Sequence, residues 1–248
     1  MTETLIGLAV ALAWAISVRV NRRRVRAFES RDDCSGDTII FVEPVRWLFI
    51  IWGFASFCSG LRRAGWKGQL RLFRWSGTAG ALLVIPDLIR RGRLLQKSER
   101  LAMAVSKCMR ENPARRLHLV GYSTGCYISL EACRRLMHQK NLGQVVLLAP
   151  TVSPEYDLIS LSGGPRSIHV YHSKADLING IGPLLFGSND RRWGPASGTA
   201  GFRNPPTFVR QRAWRLRDVR LGYLGDHFTL LSQWFVAREV APVLVGSE

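Results

Sequence analysis

Short runs of consecutive apolar residues alternate along this chain with stretches whose apolar positions recur every three or four residues. Thr38-Ile39-Ile40-Phe41-Val42, bounded by Gly36-Asp37 and Pro44, is a β-branched run with no polar face, as expected of a strand covered on both sides. Gln69–Trp75, Arg116–Gly121, Gln144–Ala149 and Ser167–His172 read as further strands, and Asp218–Leu221 as the last. Between them, Trp47–Leu61 is apolar at helical spacing on one face and nearly so on the other, with Leu48, Phe49 and Trp52. Such a helix is buried or touches lipid. Ser98–Asn112 sets Leu101, Val105, Cys108 and Met109 on one side and stops at Asn112-Pro113. Thr124–His138 and about Phe228–Val240 are the remaining helices of the body. Strands that alternate with helices and are themselves continuous and apolar predict an α/β fold, a mostly parallel central sheet flanked by helices on both faces.

Two segments break this rhythm. Ile178–Arg212 holds six Gly and four Pro, with no sustained period of either kind, yet Leu184-Leu185-Phe186, Trp193, Phe202 and Phe208 give it apolar anchors. Long irregular stretches inside domains are usually lids or binding loops, so residues 178–212 are expected to form an ordered cover. The other is the front of the chain. Leu5–Val18 is uncharged and apolar, and Asn21-Arg22-Arg23-Arg24-Val25-Arg26 follows it directly. A secretory signal carries its positive charge before the apolar run, whereas here Glu3 precedes the run and the Arg block follows. Counted from Thr2 to Val20, with Arg19 snorkelling, the segment approaches the length of a membrane-crossing helix. Residues 1–26 are therefore expected to be an N-terminal hydrophobic anchor helix with a cationic stop, and 27–248 a separate domain. Because Arg and Lys stay on the cytoplasmic side, that domain is expected to be cytoplasmic.

Composition narrows the classes. Of 248 residues 47% are hydrophobic, which excludes a disordered basic tail. Thirty-five cations against 18 acids leave a net charge of +17. The cations, mostly Arg, are spread from Arg19 to Arg238 rather than gathered on one stretch, which points away from nucleic acid and toward an anionic membrane surface. Five cysteines at positions 34, 58, 108, 126 and 133 give neither a disulfide framework nor a zinc spacing, so no metal and no cofactor is expected.

Chemistry enters at Gly121-Tyr122-Ser123-Thr124-Gly125. This G-x-S-x-G follows a strand and opens a helix, the strand–turn–helix setting in which a tight turn holds a serine oxygen above the sheet edge. A serine needs a base, and the base an orienting carboxylate. Asp176 lies just past the Ser167–His172 strand, and His227 lies between the last strand and the C-terminal helix. The rival acids are Asp157 and Asp190, with Asp226 adjoining His227, and the rival base is His172. His118, His138 and His169 read as structural, and Cys126 as packing.

The G-x-S-x-G elbow, the strand-then-Asp176 and the His227 turn, in that chain order, resemble the α/β-hydrolase superfamily, in its serine esterase/lipase-like branch, over roughly residues 37–242. The resemblance implies an eight-stranded, mostly parallel sheet and hydrolysis of a carboxylic ester or related acyl bond by Ser123, His227 and Asp176. The substrate would be a small-molecule or lipid-like ester. The chain departs from many relatives after Thr38–Val42, where it has Glu43-Pro44-Val45 in place of a His-Gly pair. Pro44 has no N–H. The oxyanion would then be held by the N–H groups of Thr124 and Val45, and an inward Glu43 carboxylate would oppose it. Two other classes fit the same residues: a non-catalytic α/β-hydrolase-fold protein that binds or scaffolds at a membrane, and a basic module whose elbow is incidental.

Overall fold

A computed structural model describes residues 2–29, 36–46, 49–77 and 91–246, Thr2 and Glu3 by backbone alone. Cys34, and Trp47 and Leu48 of the expected second helix, lie outside the described residues. Six strands form one sheet: β1 (Thr38–Val42), β2 (Gln69–Phe73), β3 (Leu117–Tyr122), β4 (Leu142–Leu148), β5 (Ser167–His172) and β6 (Val209–Ala213). Their order is β2-β1-β3-β4-β5-β6 and every neighbouring pair is parallel. The described sheet therefore has six strands, not the eight that the resemblance implied.

The buried strands send alternate residues to opposite faces, and each face closes its own core. On one side Ile40, Val42, Leu119, Val145 and Leu147 pack with α3 (Arg91–Glu111) and α4 (Thr124–Arg135). On the other, Ile39, Phe41, Val120, Val146 and Leu148 pack with α2 (Phe54–Arg63), with Val25 of α1 (Thr2–Glu29), and with the C-terminal helical segment. The segment runs from Gln233 to Val245 through a π-helical turn at Val236–Val240. Continuous apolar strands are the consequence of a sheet sandwiched in this way.

Three expectations need correction. The all-apolar helix over Trp47–Leu61 begins only at Phe54, after Gly53 takes the left-handed conformation (φ 77°). Phe54, Phe57, Cys58 and Leu61 face the core, so α2 packs one face on the sheet and is not apolar all round. The irregular stretch 178–212 contains α5 (Leu177–Phe186), α6 (Ser197–Ala200) and the end strand β6. Among the described residues Val209-Arg210-Gln211-Arg212-Ala213 pairs with β5 alone, at the end of the sheet, where its side chains are less covered and it lacks an apolar run. Asp218–Leu221 is not a strand; it belongs to a 3-10 helix, Leu216–Leu221. The Asp218 carboxylate accepts from Arg215 N (2.9 Å) and pairs with Arg212 (2.7 Å), and Gly222 ends the turn at φ 73°.

The sheet order reverses between β1 and β3, so the loops leaving their carboxyl ends diverge and leave a crevice. Glu43–Val45 leaves β1 and Ser123 leaves β3 at that point.

Candidate active site

Ser123 sits between β3 and α4 with φ 55° and ψ −124°, a conformation that costs a non-glycine residue on the order of 1–3 kcal/mol. Its neighbours impose it. Ser123 N donates to Leu148 O (2.9 Å), and Cys126 N donates to Ser123 O (2.9 Å), starting the helix. A Cβ at Gly121 would stand 2.7 Å from Cys126 Cα, and one at Gly125 would stand 2.3 Å from Val42 O. The G-x-S-x-G spacing is thus a packing requirement: α4 crosses β3 and β1 too closely for side chains at those two positions. Cys126 lies beneath, fully buried, its Sγ toward Gly121 O (3.2 Å), and burial pushes its thiol well up, as suits a packing residue.

The three residues singled out from the sequence come together. Ser123 Oγ is 3.1 Å from His227 Nε2, and His227 Nδ1 is 2.8 Å from Asp176 Oδ2. Asp176 is 2% exposed and His227 6%, whereas Ser123 faces the crevice. Tyr122 lies alongside the imidazole, 5.3 Å between centroids, and its hydroxyl donates to His227 O (2.7 Å). The ring is therefore fixed from its flank and from its backbone.

Asn179, which drew no notice in the sequence, holds the carboxylate. Its N–H donates to Asp176 Oδ1 (3.1 Å), and its Nδ2 donates to Asp176 Oδ2 (2.8 Å) and Ala149 O (3.0 Å). Asp176 is the N-cap of α5, so a helix signal starting at Leu177 would have located this partner three residues on. Thr151 was also missed: its Oγ1 lies 3.2 Å from Ser123 Oγ. Its position just past the end of β4 was the available clue.

The rivals are occupied elsewhere. Asp190 accepts from Ser153 N (2.8 Å) and Ser188 Oγ (2.6 Å). Asp157 is exposed and caps Ser160 N (3.2 Å), which lowers its carboxyl below the usual value. Asp226 caps Phe228 N (2.8 Å) and Thr229 N (3.0 Å). His172 lies away from the crevice, and burial lowers its imidazole. His118 is buried, its Nδ1 accepting from Gln144 N (3.1 Å). His169 meets Ser167 Oγ (2.8 Å) and is lowered to about 4 by burial.

Glu43 does not point at the crevice. Its side chain is 1% exposed, and its carboxylate accepts from Trp75 N (3.2 Å), Ser76 N (3.3 Å), Ser76 Oγ (3.1 Å) and Arg46 Nη2 (3.1 Å). Burial raises the carboxyl above its ordinary value while Arg46 and Ser76 pull it back. The unfavourable charge anticipated near an oxyanion is thus turned toward the end of β2 and paired. What it does instead is brace the Pro44-Val45 loop. Thr124 and Val45 both line the crevice with Ser123. Glu43→Ala strands Arg46 and two backbone N–H groups in a buried place, so it is expected to cost about 3 kcal/mol, read as a lower urea midpoint. An unchanged midpoint would remove Glu43 from this bracing role.

The crevice is a cavity of about 150 Å³ with Ser123 and His227 in its wall. Pro44, Val45, Trp52, Ile178, Pro183, Phe186 and Phe228 supply the apolar lining, with Trp52 and Phe228 in ring contact (5.9 Å between centroids). Among the described residues no cluster of His, Cys, Asp and Glu could hold a metal ion. The site is thus a largely apolar slot that exposes the Ser123 hydroxyl and the His227 imidazole, with Thr124 and Thr151 beside them and the Asp176 carboxylate behind the imidazole.

A parallel sheet with a strained serine elbow after β3, an acid after β5 and a histidine after β6 defines the α/β-hydrolase fold, and this chain has it. No protein-family model matches the sequence, and no curated protein matches it. Among solved structures it is similar to a lipase-esterase related protein from Clostridium acetobutylicum (11% identity, 87% of this chain and 96% of that one, TM-score 0.48). It is also similar to carboxylesterase CesB from Bacillus subtilis (8%, 87% and 86%, 0.46) and to a cutinase-like protein from Cryptococcus sp. (12%, 87% and 96%, 0.44). The chemistry rests on the site's own geometry.

Proposed function

We propose that this protein is a serine hydrolase of carboxylesterase or lipase type, cleaving a carboxylic ester or related acyl bond through an acyl-enzyme. The observation that carries this reading is the buried relay Asp176–His227–Ser123, with contacts of 2.8 and 3.1 Å, opening onto an apolar cavity. Ser123 Oγ attacks the acyl carbon as His227 Nε2 takes its proton. Asp176 holds Nδ1–H and stabilises the imidazolium. The N–H groups of Thr124 and Val45 receive the oxyanion. Collapse breaks the bond to the alcohol, which leaves with the proton from Nε2. Water then repeats the sequence and releases the acid. No cofactor enters this scheme. We read the segment from α5 to Asn189 as the cover, a reading supported by Ile178, Gly182, Pro183, Phe186 and Asn189 in the cavity's lining. The test is labelling by a fluorophosphonate, expected for the wild type and absent for Ser123→Ala. Equal labelling of the two would sink the assignment.

The second part of the proposal is location. α1 is a 28-residue helix, about 42 Å long, and its stretch from Thr4 is long and apolar enough to cross a membrane. We read it as a single-pass anchor whose Arg block keeps the body cytoplasmic. Full-length protein is expected to sediment with membranes at high salt. Removal of residues 1–18, which spares the packed Asn21 and Val25, is expected to leave only salt-sensitive attachment through the Arg-rich body. Full-length protein in the soluble fraction at low salt would overturn the anchor.

A further inference from the structure

The cover of the cavity is apolar on both of its sides. Ile178, Gly182, Pro183 and Phe186 of α5 line the cavity, while Leu177, Ile181, Leu184 and Leu185 on the rest of the helix are exposed. A helix apolar all round is finished only by burial or by lipid. Trp52 and Phe228 stand at the same rim, 5.9 Å between ring centroids, both partly exposed.

α1 is clamped to that rim. Asn21 Nδ2 donates to Ile51 O, and Asn21 Oδ1 accepts from Ile51 N, each at 3.0 Å; the next residue, Trp52, lines the cavity. Val25, one turn on, is 1% exposed against the core. Leu5, Ile6, Leu8, Val10, Leu12, Ile16 and Val20 of α1 are exposed, and the run ends one residue before the clamp. Whatever bilayer takes up that length therefore ends beside the residue that is clamped next to the cavity's rim. At the same level Arg19, Arg22, Arg23 and Arg26 line a groove with Trp14 and Phe49. Cationic and aromatic side chains at the end of an apolar span suit the headgroup layer of anionic lipid.

We infer that an anionic phospholipid bilayer is the partner of this face. α1 sets the body down with α5, Trp52 and Phe228 in the lipid interface, so the cavity opens onto lipid. Its substrate is then a long-chain acyl ester that enters from the bilayer. The substrate statement rests on the hydrolase reading; the docking statement does not.

The test uses full-length protein in phosphatidylcholine/phosphatidylglycerol vesicles. Cys58, Cys108, Cys126 and Cys133 are buried, so a Cys34→Ser background accepts a fluorophore at Leu185→Cys on the rim or at Met103→Cys, an exposed position on α3. Nitroxide-bearing acyl chains are expected to quench emission from position 185 at least twofold and to leave position 103 unquenched. Equal quenching at the two sites, or none, would overturn the docking. In parallel, Ile181→Glu with Leu185→Glu is expected to lower the ratio of turnover on a vesicle-embedded long-acyl ester to that on a soluble short-chain ester at least tenfold. An unchanged ratio would overturn entry from the bilayer. Wild-type protein that turns over neither ester and takes no fluorophosphonate defeats the hydrolase reading, and the nitroxide result still decides the docking.

Discussion

Ser123→Ala is expected to lower turnover of a short-chain ester by about 10⁶-fold, and His227→Ala by a similar factor, because neither member of the pair works without the other. The double variant should fall little further, and that non-additivity is the sharper measurement. Two residues contributing independently would multiply their losses; two that form one proton-transfer unit, 3.1 Å apart, are lost together. Ser123→Ala keeps a Cβ at φ 55°, so it leaves the strain of the elbow in place, and its melting temperature should stay near the wild-type value. A small loss with Ser123→Ala would take the nucleophile role away from Ser123.

Asp176→Asn is expected to lower turnover by about 10⁴-fold. Both oxygens of Asp176 receive N–H donors: Oδ1 that of Asn179, Oδ2 those of His227 and the Asn179 amide. An asparagine has only one oxygen, so its amide nitrogen meets a donor whichever way it turns. Either His227 takes the wrong tautomer or the contact with Asn179 breaks. Asp157→Asn, on an exposed loop 3.8 Å from Arg134, should stay within twofold of wild type. Kinetics on the two variants decide the assignment: the reverse ranking would move the acid to another carboxylate.

Much of the fold is legible in the sequence because the sheet is buried on both faces. β1 and β5 are read to the residue, and β3 and β4 within one or two, since a strand with two covered sides cannot hide its apolar run. The same rule conceals β6, whose Arg210, Gln211 and Arg212 are compatible with an edge and with nothing more central. It also misleads at Asp218–Leu221, where Val219 and Leu221 alternate like a strand while the Asp218 carboxylate bends the chain into a 3-10 turn. The C-terminal helix, expected over about Phe228–Val240, lies five residues later at Gln233–Val245, after a 3-10 turn at Thr229–Leu231, and its π-turn at Val236–Val240 leaves no mark in the composition.

In the site, Ser123 is legible because the elbow spacing is a local pattern, and Asp176 and His227 because the order Ser, Asp, His can be followed along the chain without knowing which segments meet. Asn179, Thr151 and the bracing role of Glu43 depend on which strand ends stand side by side. Glu43 meets Ser76 across 33 positions of chain, and that adjacency exists only after β1 and β2 have paired.

The distances along the chain between the site's members also set an order of events. His227 lies 104 residues beyond Ser123 and 51 beyond Asp176. The close fit of Gly125 against Val42 O means the elbow itself is shaped only when β1 lies beside β3. Closing such long loops is slow, so the contacts that join distant segments form after the local helices. During synthesis, until residue 227 has been made, Ser123 is an ordinary hydroxyl without this imidazole in reach. The Ser123 hydroxyl thus gains its imidazole only after every strand of the described sheet has been synthesised.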